Sequence, residues 1–190
     1  MDPLGATDAG AIEIMGGIVA YGGGAVGGVG APTYTTTGGT LGITENAAAT
    51  SAPQYLGVVV YFNNCIDASA FAGVQFTISG SFSGCTMQYS TDDSAHGDST
   101  LPTPNPHATG PAGSYSLQAP LTAAQVTSTP TIVSMPFTGA GAPSGGSPDG
   151  IALDPTRLDS VSWQFTVAAA AAGAAPCTAN LTIDDVKFYR

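Results

Sequence analysis

Residues 160–167 read SVSWQFTV, in which Val161, Trp163, Phe165 and Val167 alternate with Ser160, Ser162, Gln164 and Thr166. A period of two describes a β-strand that buries one face and turns the other outward. Trp163 is the only tryptophan in the chain and shares its side with three apolar residues. It is therefore expected in the core, not as a ring offered to a ligand.

The same alternation recurs in both directions from this stretch. In YLGVVVYFNN (55–64), Leu56, Val58, Val60 and Phe62 oppose Tyr55, Gly57, Val59, Tyr61 and Asn63. AGVQFTISG (72–80) sets Val74, Phe76 and Ile78 against Gln75, Thr77 and Ser79, and TMQYS (86–90) sets Met87 and Tyr89 against Gln88 and Ser90. These two runs, joined by a short Ser/Gly turn, read as a hairpin. TIVSMPF (131–137) is a further strand, and in NLTIDDVKFY (180–189) the phase slips by one after Ile183, which a β-bulge at Asp184–Asp185 repairs. The Gly-rich stretch 16–44 carries spaced Val, Ile and Tyr and reads as weak strands and turns. Residues 92–114 show no apolar period and form the longest loop, read as a flexible acidic segment. Many short strands with Gly and Pro turns argue for an all-β fold, a two-sheet antiparallel β-sandwich of jelly-roll type.

Composition narrows the function. Of 190 residues 43% are hydrophobic, enough for one core, and one domain over 1–190 is expected, with 1–15 a loosely ordered leader. Only 8% are charged, and Arg157, Lys187 and Arg190 are the whole basic complement against 13 acidic residues, a net charge of −10. With so few cations, phosphate backbones and anionic membranes are excluded as partners. No stretch has the length and apolarity of a spanning helix. Scarce lysine with abundant Ser, Thr and Gly suits an exported, extracellular domain. Cys65, Cys85 and Cys177 allow one disulfide and one thiol, and their spacing matches no tetrahedral zinc pattern.

The order NNCIDASAFAGVQFTISGSFSGCTMQYS (63–90), TIVSMPF (131–137), LDPTRLDSVSWQFTV (153–167) and LTIDDVKFY (181–189) resembles the jelly-roll carbohydrate-binding modules appended to secreted bacterial glycoside hydrolases. The resemblance covers roughly residues 55–189 and implies one sheet face that holds a neutral polysaccharide, a β-glucan or xylan-like chain. It implies hydrogen bonds from Gln75, Thr77, Gln88, Ser90, Gln164 and Asn63, with Thr166 nearby, and a stacking ring in Tyr61. Asp92 and His96 would touch the ligand at the rim, with Asp93, Asp98 and His107 in the same loop. It further implies a structural Ca2+ held by Asp184, Asp185 and an N-terminal carboxylate, for which Glu13 is the available residue. If the last strand pairs with residues 72–80 as in those domains, Cys85 bridges Cys177, and Cys65 remains a buried thiol. A glycoside hydrolase catalytic domain in the parent protein is the implied partner.

Catalysis is poorly provided for. Glu13 and Glu45 are the only glutamates, no carboxylate pair sits in a recognisable motif, no G-x-S-x-G elbow occurs, and three basic residues are a thin supply for a polysaccharide lyase. The rivals to a binding module are a structural or adhesive domain that self-associates through its strands, and a small enzyme built around Asp92, Asp93 and His96.

Overall fold

The computed structural model describes residues 16–22, 25–26, 30–96, 109–110, 117–138, 152–171 and 174–190. The leader expected over 1–15, and with it Glu13, lies outside them, as do Asp98 and His107. The described strands are β1 (Gly16–Gly22), β2 (Ala25–Val26), β3 (Thr33–Thr37), β4 (Thr40–Ala47), β5 (Gln54–Ile66), β6 (Gly73–Ser83), β7 (Thr86–Asp93), β8 (Leu117–Leu121), β9 (Thr131–Pro136), β10 (Leu158–Val167) and β11 (Cys177–Tyr189). They form a six-stranded sheet in the order β2-β1-β5-β10-β7-β8 and a five-stranded sheet in the order β3-β4-β11-β6-β9, with every pairing antiparallel. The expected β-sandwich is thus present.

The inner faces are the apolar halves of the alternating runs. Leu56, Val58, Val60 and Phe62 of β5, Met87 and Tyr89 of β7, and Val161, Trp163 and Phe165 of β10 meet Leu41 and Ile43 of β4, Phe76 and Ile78 of β6, and Leu181 and Ile183 of β11. Trp163 is fully buried, edge-on to Phe76 at 5.4 Å between ring centroids and to Tyr89 at 5.8 Å. Such pairs add roughly 0.5–1.5 kcal/mol beyond the area they bury. The indole Nε1 has no hydrogen-bond partner among the described residues.

One expected pairing fails. Residues 72–80 and 86–90 are not a hairpin, because β6 belongs to the five-stranded sheet and β7 to the six-stranded one. β6 stays bonded to β11 as far as Ser83↔Thr178, and the chain then passes between the sheets through Gly84, at φ 73°, and Cys85. Alternation dictates which side faces the core in either arrangement, so it cannot distinguish a hairpin from a crossing. Cys85 bridges Cys177 with the Cα atoms 5.1 Å apart, which fastens this crossing to the first residue of β11. Cys65 is free but exposed rather than buried. Two residues beyond Asn63 on the same strand, it continues the outward phase of Tyr61 and Asn63. The bulge in β11 is as expected: register slips between Asp184 and Lys187, with Asp185 at φ 52°.

Candidate functional site

Antiparallel register places directly opposed residues on the same face. The outward face of the six-stranded sheet can therefore be read in rows. One row runs Tyr21, Gly57, Gln164, Gln88, Pro120; the next runs Val19, Val59, Ser162, Ser90, Gln118; a third holds Gly17, Tyr61, Ser160 and Asp92. Tyr61, Gln88, Ser90, Asp92 and Gln164 thus share one surface, as the resemblance implies. Gln75 and Thr77 do not join them. They sit on β6, outward on the opposite sheet, where Gln75 donates from Nε2 to Ser134 Oγ at 2.9 Å. The error follows from the failed hairpin, because β6 and β7 turn their polar sides to opposite flanks of the sandwich.

Two tyrosines and two glycines shape the surface. Tyr21 is opposite Gly57 and Tyr61 is opposite Gly17, and a Cβ on either glycine would collide with the ring across from it. Each ring therefore lies over a bare patch of backbone. Tyr61 is half-buried and Tyr21 almost wholly so, its hydroxyl donating to Gln164 Oε1 at 2.9 Å. Tyr21 escaped the sequence reading, although the signal was there: Gly17-x-x-x-Tyr21 and Gly57-x-x-x-Tyr61 repeat one spacing on two strands that pair head to tail.

The serines are bonded to one another. Ser90 and Ser162 hydroxyls are 2.7 Å apart, and Ser90 Oγ also donates to Asp92 Oδ2 at 3.2 Å. Ser160 donates to Asp159 Oδ1 at 3.0 Å. Ser90, Asp92, Ser160 and Ser162 are all buried. They form a buried, hydrogen-bonded set of hydroxyls with one carboxylate at its edge.

Asp92 and Asp93 belong to β7 and not to the expected flexible loop. Asp92 is the penultimate residue of β7, and Asp93, wholly buried, accepts from the backbone N–H of Ala95, His96 and Asp154. His96 Nδ1 lies 2.8 Å from both Asp93 carboxylate oxygens, with the ring buried. A carboxylate bonding three backbone amides and an imidazole is a fastening of chain to chain. His96 is thereby held on Asp93 at the end of the sheet, and Asn63 lies exposed near the end of β5.

The carboxylates expected for calcium sit apart from this surface, on the bulge of β11. Asp184 accepts from the Asp185 N–H at 2.8 Å, and Asp185 is ion-paired with Lys187 Nζ at 2.6 Å. Among the described residues no group of three or more His, Cys, Asp or Glu stands close enough to hold a metal ion. Glu45 differs from these exposed acids. It points inward from β4, one oxygen takes the Asn46 N–H at 2.7 Å, the other has no partner among the described residues, and burial raises its carboxyl above the ordinary glutamate value.

The chain is thus a two-sheet antiparallel sandwich with one outward face of amides, hydroxyls and tyrosine rings. Solved structures agree at the level of fold. The chain is similar to the family 11 carbohydrate-binding module of the cellulosomal cellulase Lic26A-Cel5E of Clostridium thermocellum, at TM-score 0.53 and 15% identity over 90% of this chain and 86% of that one. It is also similar to a family 11 module from the same organism in complex with a β-1,3-1,4-mixed-linked tetrasaccharide, at TM-score 0.51 and 16% identity over 90% and 88% of the two chains. No protein-family model and no curated protein sequence matches it. Among the described residues no helix is long and apolar enough to cross a membrane.

Proposed function

We propose that this chain is a non-catalytic carbohydrate-binding module that takes a neutral β-glucan on the outward face of its six-stranded sheet. The observation that carries the reading is the pair of tyrosines laid over glycines, Tyr21 on Gly57 and Tyr61 on Gly17, beside Gln164, Gln88, Ser162 and Ser90. Sugar hydroxyls need neutral partners of both polarities, and pyranose rings need a flat apolar surface. The mixed-linkage tetrasaccharide bound by one structural neighbour makes the same ligand class the first to try. In this reading the domain is extracellular, where a disulfide persists, and it acts by concentrating an attached or partner glycoside hydrolase on its substrate.

Roles follow from position. Tyr61 is the stacking ring, and Gln88 and Gln164 hold equatorial hydroxyls. Tyr21 is a positioning residue, because its hydroxyl occupies Gln164 Oε1 and leaves the Gln164 amide N–H donors for the ligand. Titration calorimetry with mixed-linkage, cello- and xylo-oligosaccharides tests the reading. The expected result is micromolar to millimolar binding of one series, abolished by Tyr61→Ala and weakened about tenfold by Gln164→Ala. Absence of heat with all three series in the folded protein would refute it.

A further inference from the structure

The outward face of the five-stranded sheet has its own chemistry. Register brings Thr44, Asn180 and Ser81 into one row and Thr35, Thr182 and Ser79 into the next, separated in the second row only by Gly42. These side chains are exposed or half-exposed, and none of them hydrogen-bonds to another part of the protein among the described residues, so their hydroxyls and amide are spent on water. Among the described residues charge enters this face only at its far end, where Asp184, Asp185 and Lys187 surround the bulge, and the rest of the face is uncharged. It repels neither sign, offers a cation or an anion nothing, and complements a partner that is itself neutral and dense in hydroxyls. Ile132, 67% exposed beside Thr77, adds an apolar contact at the β9 edge.

We infer that this face is a second carbohydrate contact, and that its partner is the flat surface of a packed, uncharged polysaccharide. The inference rests on the proposed carbohydrate reading for the class of ligand, and on the geometry of this face for its form. A single dissolved chain needs rings to stack on or walls to surround it, and the rows named here have neither. Polar side chains spaced about 4.8 Å across strands and about 6.8 Å along them over the four strands β3, β4, β11 and β6 supply many weak bonds at once. Such an array gains affinity only against a surface that is equally extended. The module is then two-faced, gripping one chain on the six-stranded sheet while resting the other sheet on bulk polymer.

The test is co-sedimentation with microcrystalline cellulose and with insoluble β-1,3-glucan, run beside affinity electrophoresis in soluble mixed-linkage β-glucan. The double variant Thr35→Glu/Thr182→Glu places two carboxylates in the middle of the open face. It should lose about tenfold in partition onto the insoluble polymer yet migrate like the parent in the soluble one. Thr182→Val/Ser81→Ala, which keeps shape and charge, guards against a folding artefact and should lose part of the retention. Tyr61→Ala should do the reverse, losing soluble retardation and keeping sedimentation. Equal sedimentation of all variants with the parent overturns the second face, as does a parent that never sediments. Dimerisation of the parent that the double variant abolishes, without polymer retention, assigns the face to a second copy and overturns it too. If soluble retardation is also absent, the carbohydrate reading itself fails; if it persists, only the second face does.

Discussion

The two outward faces of this sandwich are built from the same residue types and have opposite physical character. On the six-stranded sheet Ser90, Ser162 and Tyr21 are buried and bonded to partners within the protein. On the five-stranded sheet Thr35, Thr44 and Thr182 stand in solvent with their hydroxyls open. Alternation of apolar and polar residues says that each strand has an outer face. It does not say what that face does, because a buried serine pair and a solvated threonine pair look alike in sequence. The difference is made by register, and by the large residues that lie over small ones.

The disulfide provides the common reference for both faces, since Cys85 marks the crossing between the sheets. Replacing Cys85 and Cys177 by serine should lower stability by about 3–4 kcal/mol, given the long loop it closes. Urea unfolding followed by the single tryptophan should show one transition at lower denaturant. Two separated transitions would mean that the faces are energetically independent.

Matched glycine substitutions sharpen the comparison. A Cβ on Gly57 would lie 2.6 Å from the Tyr21 hydroxyl and 2.7 Å from the Trp163 carbonyl oxygen, so Gly57→Ala should cost about 2–3 kcal/mol. At Gly42 the nearest atom is the Thr35 hydroxyl at 2.7 Å, the tip of a side chain free to rotate, and Gly42→Ala should cost less than about 1 kcal/mol. Equal costs in thermal unfolding would erase the distinction between a covered and an open face. Hydroxyl deletion should follow the same order. Ser162→Ala strips Ser90 of a buried partner and should cost about 1 kcal/mol, whereas Thr182→Ala should stay within about 0.5 kcal/mol of the parent.

Glu45 gives the smallest effect, and one with a sign in pH. Its carboxyl is raised by burial, so the folded chain holds a proton there more readily than the unfolded chain. The resulting destabilisation is present above the folded pKa and disappears as pH falls through it toward the unfolded value. Glu45→Gln should therefore raise the melting temperature at pH 7, and the gain should vanish as the pH falls toward the unfolded-state value. A gain that grows toward acid would contradict the assignment.

Much of the fold was legible. The inward phases of β5, β6, β7, β10 and β11 were readable because two to four apolar residues in each keep a strict period, and the Asp184–Asp185 bulge because that period slips once. The Cys85–Cys177 bridge followed from the resembled topology. The β6–β7 crossing was hidden because a two-residue Gly-Cys turn can end a hairpin or pass between sheets, and the choice depends on partners far away in the chain. That miss carried Gln75 and Thr77 to the wrong flank. Cys65 was readable as outward, since it continues the phase of Tyr61 and Asn63, whereas the Asp93 carboxylate that gathers three backbone amides and holds His96 is not visible in local composition.

The most direct test of the central claim is affinity electrophoresis in gels containing mixed-linkage β-glucan, comparing the parent with Tyr61→Ala and Gln164→Ala on the covered face and Thr182→Ala on the open one. The account predicts retardation of the parent and of Thr182→Ala, loss of retardation for Tyr61→Ala, and partial loss for Gln164→Ala. Retardation that survives Tyr61→Ala unchanged, or free migration of the folded parent, would contradict it.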